Sequence, residues 1–410
     1  MAPKALNESL VPQSVFREHI LTNLQYWHDY VTGQATEVSR LDRGRNRIVT
    51  AILFALDFEE VWPGLAELIE TFSSYMERRG HWETWQGVLS RALETMGRSN
   101  RPVYEITLTV LLARLLQRQG RSEEAVACYR RVIRLARRHE DPFNEARACS
   151  NLGYLYINRG SWRRAEVLCC HALAIFEPLG SDYGRAHTEN HLGILYTHQH
   201  RWAEAQRHLD EACRIWQRIE DDHGLMRGFI NLGHLYNQKG AVDRAISYHE
   251  KALHQAKLVG EEAETGMILI NMAIAQKKGG DLASAASSLE QAETIFQRLA
   301  AEKGLALVWH NRGWLCVDQQ QWPDAKFYLE TALAAARQLD DDYLEIETLI
   351  GLVKYEIGGG SQAGAIAKLE ALGQFINRHP QYETYRAHYR QLAQDCRSLP
   401  ALSTRQAAAG

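Results

Sequence analysis

The sequence predicts an all-α protein built as a solenoid of stacked helical hairpins, and three observations indicate this. The first is a glycine that recurs every 40 residues, with His200 and Gln320 in two of the expected places; it stands at Gly80, Gly120, Gly160, Gly240, Gly280 and Gly360. The second is an alanine with the same period, replaced by Trp85 in the first unit; it stands at Ala125, Ala165, Ala205, Ala245, Ala285, Ala325 and Ala365. The third is apolar residues at helical spacing on both sides of each glycine. A period this regular indicates units that bury their apolar faces only by stacking on one another.

The first helix of one unit is clear in residues 145–184. Its apolar side follows the i, i+3, i+4, i+7 spacing of an amphipathic helix, at Cys149, Leu152, Gly153 and Tyr156. Gly160 is predicted to end this helix, because glycine adopts the left-handed C-cap conformation without steric cost.

The second helix of this unit follows directly. Ser161 is predicted to be its N-cap, and Trp162 opens it, as Trp202 and Trp322 do later in the chain. The indole rings and Tyr129 are interpreted as core residues. Gly153 and Ala165 are small, so the two helices are predicted to cross closely.

Counting from the glycines gives eight hairpins between Leu65 and Arg378. We predict an N-terminal helical segment over 1–60, the repeat array over 61–380, a capping helix over 381–397 and a disordered tail over 398–410. The N-terminal segment is expected to hold two helices, at 14–31 and 41–58. The capping helix, from Tyr382 to Arg397, carries Tyr385 and Leu392 on its apolar side.

Composition excludes several classes of function. The chain has 410 residues, a net charge of −3 and 24% charged residues, which does not indicate a nucleic-acid or anionic-membrane partner. The N-terminal sequence lacks the apolar run of a signal peptide, and no stretch reaches the roughly 18 apolar residues of a membrane span. Cys149, Cys169 and Cys316 fall on apolar positions, so we expect buried thiols in a reducing, cytoplasmic compartment.

The segment NLGYLYINRGSWRRAEVLCCHAL resembles the tetratricopeptide repeat, with its characteristic small and aromatic residues at Gly153, Tyr156, Ala165 and Ala172. The 40-residue form resembles the subclass found in kinesin light chains, Pins-like adaptors and bacterial peptide-sensing regulators. This resemblance implies a right-handed superhelical solenoid whose first helices line a concave groove.

The N-terminal stretch LDRGRNRIVTAILFAL resembles the helical entry that follows the nucleotide-binding module of bacterial STAND signalling ATPases. The chain contains no GxxxxGK[ST] loop, so a nucleotide site is not expected here. The resemblance then implies the sensor part of such a protein, and no cofactor is predicted.

The face expected to line the groove lies at residues 147, 150, 151, 154, 157 and 158 and at 40-residue steps after them. Across five units, seven of its thirty positions are asparagine, although the whole chain has only thirteen, and Asp318 is its one acidic residue. Arginine and lysine add charge, at Arg147, Arg227, Lys277 and Lys278. An asparagine amide can donate to and accept from a peptide backbone, and the cations favour a carboxylate.

The candidate partner-binding residues are Arg147, Asn151, His187, Asn190, His191, Arg227, Asn231, His234, Asn271 and Asn311. In proteins of the resembling family, asparagines at the position of Asn151, Asn231, Asn271 and Asn311 contact bound peptide, and His191 departs from that pattern. An alternative stays open, in which these amides bond to the next repeat and only stiffen the stack.

The function predicted is a noncatalytic scaffold or sensor that binds an extended peptide or protein segment bearing carboxylates. The alternative is a regulatory subunit that controls an enzyme or transcription factor in trans. His187 and His191 have a spacing that can hold a metal, but HTENH lacks the HExxH order and a third ligand, so no metal site is predicted. Neither Cys169 nor Cys170 has an activating partner, and the sequence shows no catalytic motif. The oligomeric state stays open.

Overall fold

The computed structural model describes residues 13–33, 38–99 and 101–399, and these residues form an all-α structure. The chain divides into two compact units, one ending at Gly224 and the other beginning at Leu225. Residues 400–410, most of the tail predicted to be disordered, lie outside the described residues.

Ten helices are described in the residues of the first unit that the structure covers. They are α1 (Gln13–Thr32), α2 (Val38–Ala55), α3 (Trp62–Arg78), α4 (Trp82–Thr95), α5 (Pro102–Arg118), α6 (Ser122–Arg138), α7 (Pro142–Asn158), α8 (Trp162–Phe176), α9 (Asp182–His198) and α10 (Trp202–Arg218). A short 3₁₀ helix, Glu59–Val61, precedes α3.

Helix α11 (Asp222–Lys239) contains the boundary, and the second unit continues beyond it. Its helices are α12 (Val242–Val259), α13 (Glu262–Lys278), α14 (Leu282–Arg298), α15 (Glu302–Asp318), α16 (Trp322–Gln338), α17 (Asp342–Gly358), α18 (Gln362–Arg378) and α19 (Arg386–Ser398). The pairs from α3/α4 to α17/α18 are the eight hairpins that the sequence predicts, so the fold class is confirmed within the described residues.

The turns that end the helices follow the predicted 40-residue glycine period, and their left-handed conformation recurs at a shorter period as well. Gly160 has a φ of 67°, and the two exceptions, His200 and Gln320, adopt the same left-handed conformation with a φ of 58° each. The turns between hairpins do so as well, for example at Glu140 and Gly180, with φ of 55° and 61°. Nearly every helix of the array therefore ends in the same type of turn, at intervals of 20 residues.

The predicted N-cap at Ser161 is wrong, because its side chain accepts no capping hydrogen bond. Side-chain caps occur at other helix starts, both inside hairpins, at Asp281 and Ser361, and in turns between hairpins. Asp141 accepts from the backbone N–H of Asn144 at 3.0 Å, and Asp341 accepts from that of Leu344 at 3.1 Å.

The close crossing within each hairpin is confirmed. A Cβ at Gly153 would lie 2.5 Å from the Sγ of Cys169, and the same small-on-large contact recurs where Gly193 meets Leu209. Tyr129 is fully buried as predicted, but Trp162 is 41% exposed, so its interpretation as a core residue is wrong. Trp162 stands at the first position of its helix, where one side of the ring faces solvent.

The N-terminal helices belong to the core of the first unit. One cluster of buried side chains extends from Leu24 on α1 through Ile48 and Ile52 on α2 to Leu65 on α3 and Leu111 on α5. The hydrophobic face of α3 is therefore covered by α1 and α2.

The C-terminal helix of the second unit begins later than predicted. Residues Pro380–Tyr385 form a 3₁₀ helix, in which Tyr382 leaves helical geometry, and α19 begins at Arg386. Leu392 and Cys396 on α19 are buried against Phe375 and its neighbours, which agrees with a cap on the last hairpin. Within the described parts of the chain, no helix combines the length and apolar character needed to cross a membrane.

Candidate functional site

The first helices of the hairpins form a layer in each unit. In the first unit, α3, α5, α7 and α9 pack side by side, and in the second unit α13, α15 and α17 do the same. Side chains at corresponding positions of these helices therefore lie next to one another. Residues that recur every 40 positions in the sequence therefore form a continuous surface within each unit.

The accessible part of this surface is narrower than predicted. Positions 147, 151, 154 and 158, with their equivalents on α9, α11, α13 and α15, are partly or fully exposed, and we call those of each unit its accessible strip. The other two predicted positions are largely buried: Ser150 is 4% exposed, Asn190 5% and Asn237 7%. Asn190 is therefore wrongly assigned to a solvated face, because packing leaves only 5% of it exposed.

Arg147, the predicted cation of the first unit, already has an acidic partner. Its Nη1 lies 2.5 Å from Oε1 of Glu70 on α3, and its side chain is 19% exposed. Asn151, one turn further along α7, makes no hydrogen bond through its side chain within the described residues. The first unit therefore offers an open amide beside a neutralised cation.

The two histidines of α9 are held by aromatic neighbours. His187 lies edge-on between Tyr183 and Trp216, with ring centroids 4.4 and 5.3 Å away. His191 stacks on Tyr154 of α7 with centroids 4.8 Å apart, and its Nδ1 is 3.1 Å from the hydroxyl of Ser150. These contacts fix both rings in the packing between helices.

The second unit carries the more open part of the strip. Arg227 and His234 on α11 are exposed, Asn231 between them is partly exposed, and Arg227 forms no ion pair within the described residues. Asn271 on α13 makes no side-chain hydrogen bond there either, whereas Asn311 on α15 donates to the backbone carbonyl of Leu307 in its own helix at 2.8 Å.

A charged and aromatic cluster continues the strip on α13, α15 and α17. Lys277 pairs with Asp318 at 2.8 Å, and the ring of Trp314 lies between the ammonium groups of Lys277 and Lys354, at 5.6 and 5.7 Å. Beneath it, burial lowers the pKa of His310 to about 4, with a contribution from Lys277, and its Nδ1 is 2.9 Å from the hydroxyl of Thr348. Sequence reasoning named Lys277 and Asp318 but missed Lys354, which lies one repeat after Trp314 and outside the five units considered.

Comparison with family models identifies the repeats. Residues 104–178, 184–257 and 224–298 match the model of the tetratricopeptide repeat. The chain contains tetratricopeptide repeats. The matched segments extend from α5 to α14 and hold most of the accessible strip. Comparison with the sequences of curated proteins gives no significant match.

Solved structures confirm the fold of these tetratricopeptide repeats. A STAND protein with a tetratricopeptide repeat sensor from Pyrococcus horikoshii is 15% identical, with a TM-score of 0.61, and the match covers 95% of this chain and 56% of that one. The apo quorum sensor NprR from B. thuringiensis is 13% identical, with a TM-score of 0.58 and coverage of 87% and 99%. A Rap protein complexed with Competence and Sporulation Factor is 14% identical, with a TM-score of 0.57 and coverage of 93% and 98%. At these identities the likeness concerns the fold.

Proposed function

We propose that this protein is a noncatalytic scaffold or sensor that binds an extended peptide or protein segment on its accessible strip. The observation that carries the proposal is the state of Asn151 and Asn271. Both amides lie on the accessible strip, and neither side chain makes a hydrogen bond within the described residues. A partly buried amide with free donor and acceptor groups suits the alternating C=O and N–H groups of an extended backbone.

The same observation argues against the alternative that Asn151 and Asn271 stiffen the stack. Stiffening requires a hydrogen bond from the amide to the neighbouring repeat. Asn151 and Asn271 make none within the described residues, and Asn311 bonds to its own helix. The quorum sensor NprR and the Rap protein in complex with Competence and Sporulation Factor give a precedent for this fold in sensing.

The preferred partner carries a carboxylate, and Arg227 is the residue that would bind it. Arg147 and Lys277 are already paired with Glu70 and Asp318. Lys278 is exposed and donates to the backbone carbonyl of Asn237 at 3.4 Å. We favour the exposed guanidinium of Arg227 as the anion site, because it can bind a carboxylate with two parallel hydrogen bonds. We also propose a cytoplasmic location, supported by the buried thiols of the second helices and of Cys149.

A random peptide display library, selected on the immobilised full chain, tests the proposal. We expect enrichment of peptides that carry acidic residues or use a free C-terminus. The double variant Arg227→Ala with Asn271→Ala should lose this enrichment without losing helicity, since neither side chain bonds to another described residue. The matched control, Lys257→Ala with His254→Ala, changes exposed residues on the second helix α12 and should keep it. Equal enrichment by both variants would refute the proposal.

A second candidate function, regulation of an effector protein, is favoured by a groove at the N-terminal helices. The groove has a volume of about 580 Å³ and lies between α1 and α2. Phe16 and Phe54 on its walls are 43% and 51% exposed. Arg43 and Arg47, one turn apart on the outer side of α2, are exposed and form no ion pair within the described residues. An apolar groove beside two unpaired cations fits an amphipathic helix of a partner that carries carboxylates along its edge.

Surface substitutions test this candidate better than a deletion of residues 1–60, because the deletion would remove the core residues Leu24 and Ile52. A library of helical peptides should enrich an apolar stripe flanked by Asp or Glu, and Arg43→Glu with Arg47→Glu should abolish this enrichment. The Arg227 and Asn271 double variant serves as the control and should leave it intact. Sedimentation would show whether the chain associates with itself. If it does, and if the same charge reversal removes the association, a second copy of the chain occupies the groove and this candidate is overturned.

A further inference from the structure

Three different metal-binding side chains meet at the hairpin of α7 and α8. Glu145 and Cys149 lie one turn apart on α7, and His171 faces them from α8. Their ligand atoms all lie within 4.8 Å of one another, and the Nε2 of His171 is 2.8 Å from the Oε1 of Glu145. Cys149 is fully buried, the side chain of Glu145 is 13% exposed and that of His171 is 42% exposed. The cluster is therefore closed on one side and reachable from solvent through His171.

Packing of the repeats accounts for only part of this cluster. Arg137 donates from Nε to Oε1 of Glu145 at 2.8 Å, and the same ion pair recurs 200 residues later, where Arg337 donates to Glu345 at 2.8 Å. The residues that correspond there to Cys149 and His171 are Leu349 and Ala371. The carboxylate thus belongs to a recurring ion pair, whereas the thiol and the imidazole are additions to this hairpin.

We propose that Glu145, Cys149 and His171 form a binding site for one divalent transition metal ion of the zinc class. Thiolate sulfur, imidazole nitrogen and carboxylate oxygen are the ligands that zinc takes in proteins, and three of them with an open fourth position form a common set. Ligands of a tetrahedral zinc ion lie about 3.3–3.8 Å apart, given bonds of about 2.0–2.3 Å. The separations here, from 2.8 Å up to 4.8 Å, bracket that range.

Binding requires two local changes that the structure permits. The thiol of Cys149 releases its proton to solvent and binds as thiolate; burial, together with Glu145, raises the pKa of the free thiol to about 12, and the cation reverses that preference. Arg137 must leave Glu145, and its side chain is 58% exposed and free to turn into solvent. A water molecule completes the coordination.

Cobalt(II) is the probe for this site, because thiolate ligation gives it a charge-transfer absorption band. The full chain, stripped with a chelator, should bind one Co²⁺ with this band, and added Zn²⁺ should remove it. Cys149→Ala should abolish the band. His171→Ala should weaken Co²⁺ binding by at least about tenfold, since even outer-shell partners of metal ligands contribute about 10–100-fold to metal affinity. The protein should tolerate this substitution, because the position is partly exposed and is alanine in the matching hairpin.

Matched controls separate this site from adventitious binding. Cys170→Ala removes an exposed neighbouring thiol, and Glu345→Gln breaks the equivalent ion pair in the hairpin without the thiol and imidazole. Both should leave the band and the affinity unchanged, and His171→Ala should keep the circular dichroism of the parent. The proposal is overturned if the band is absent from the parent, persists in Cys149→Ala, or is lost in Cys170→Ala.

Discussion

Arg147 on α7 lies 2.5 Å from Glu70 on α3, although 77 positions of sequence separate them and α5 lies between their helices. The contact links first helices of hairpins that are not neighbours in the chain. Because the pair is partly exposed, it is a surface ion pair whose strength depends on salt. Its main consequence concerns recognition: Glu70 competes with any carboxylate that a bound peptide would offer to Arg147.

Glu70→Gln should strengthen the binding of acidic peptides selected on the full chain. Removing the competing carboxylate frees Arg147 and is expected to raise affinity by about two- to fivefold, the equivalent of an exposed ion pair. This gain in affinity should decrease at high salt. Titration of a labelled peptide measures it, and Glu83→Gln, an exposed carboxylate on the second helix α4, is the control of equal charge. Unchanged affinity in Glu70→Gln would mean that the peptide does not contact Arg147.

Glu77→Ala should destabilise the first unit strongly. The carboxylate is 1% exposed and accepts from the Nε of Arg114 at 2.9 Å and from the Nε of Arg118 at 3.0 Å, which joins α3 to α5. Its loss leaves the largely buried guanidinium of Arg114 without its partner, at a cost of about 3–5 kcal/mol. Urea unfolding followed by circular dichroism measures the loss, and Glu83→Ala should change it by less than about 0.5 kcal/mol. A similar small change in both variants would contradict the structural role of Glu77.

The fold was predictable because it depends on short-range periodicity. Gly153 and Ala165 mark the crossing of two helices within one hairpin, and nearby residues determine that geometry. The conformation of His200 and Gln320 was not predictable from residue type, since a left-handed turn disfavours both side chains. There the stacking of helices on either side imposes the turn.

The site was predictable only in part, because a helical wheel assigns faces without knowing the neighbours. It placed Asn151 and Asn190 on one face, but packing buries Asn190 and leaves Asn151 partly exposed. It also could not show that Glu70 neutralises Arg147, because that contact joins hairpins that are not adjacent in the chain. The candidate residues therefore stay a prediction, with Arg227, Asn151 and Asn271 as its best-supported members.

Gln320→Gly should stabilise the second unit. Gln320 has a φ of 58°, a conformation that costs a residue with a side chain about 1–2 kcal/mol, and the greater freedom of glycine in the unfolded chain offsets about 0.5–1 kcal/mol of the gain. A net increase of about 0.5–1 kcal/mol is expected in urea unfolding. The adjacent Gln319 has a φ of −84°, so Gln319→Gly should destabilise instead. Equal effects of the two substitutions would show that the turn is not strained.

His249→Leu should remove part of the protein's sensitivity to acid. His249 is 1% exposed and packs on Gly233. In two other hairpins a leucine takes its place, since Leu209 packs on Gly193 and Leu329 on Gly313. Neither ring nitrogen of His249 has a hydrogen-bond partner within the described residues. Burial, with a smaller effect of His234, lowers the pKa of this imidazole from 6.5 to about 4. The unfolded chain therefore binds a proton between pH 6.5 and 4 that the folded unit does not, and stability falls as the pH falls through this window.

The size of this effect follows from the same linkage. From pH 7 to pH 5, His249 should reduce the free energy of unfolding by about 2 kcal/mol. His249→Leu should abolish this part of the loss and, by removing two unpaired buried nitrogens, raise stability at pH 7 as well. Burial lowers the pKa of His310 to about 4 in the same way, so some acid sensitivity should remain in the variant. Urea unfolding at both pH values compares the parent with His249→Leu and with the exposed control His254→Leu. A loss on acidification that is equal in all three proteins would mean that His249 is accessible to protons in the folded state.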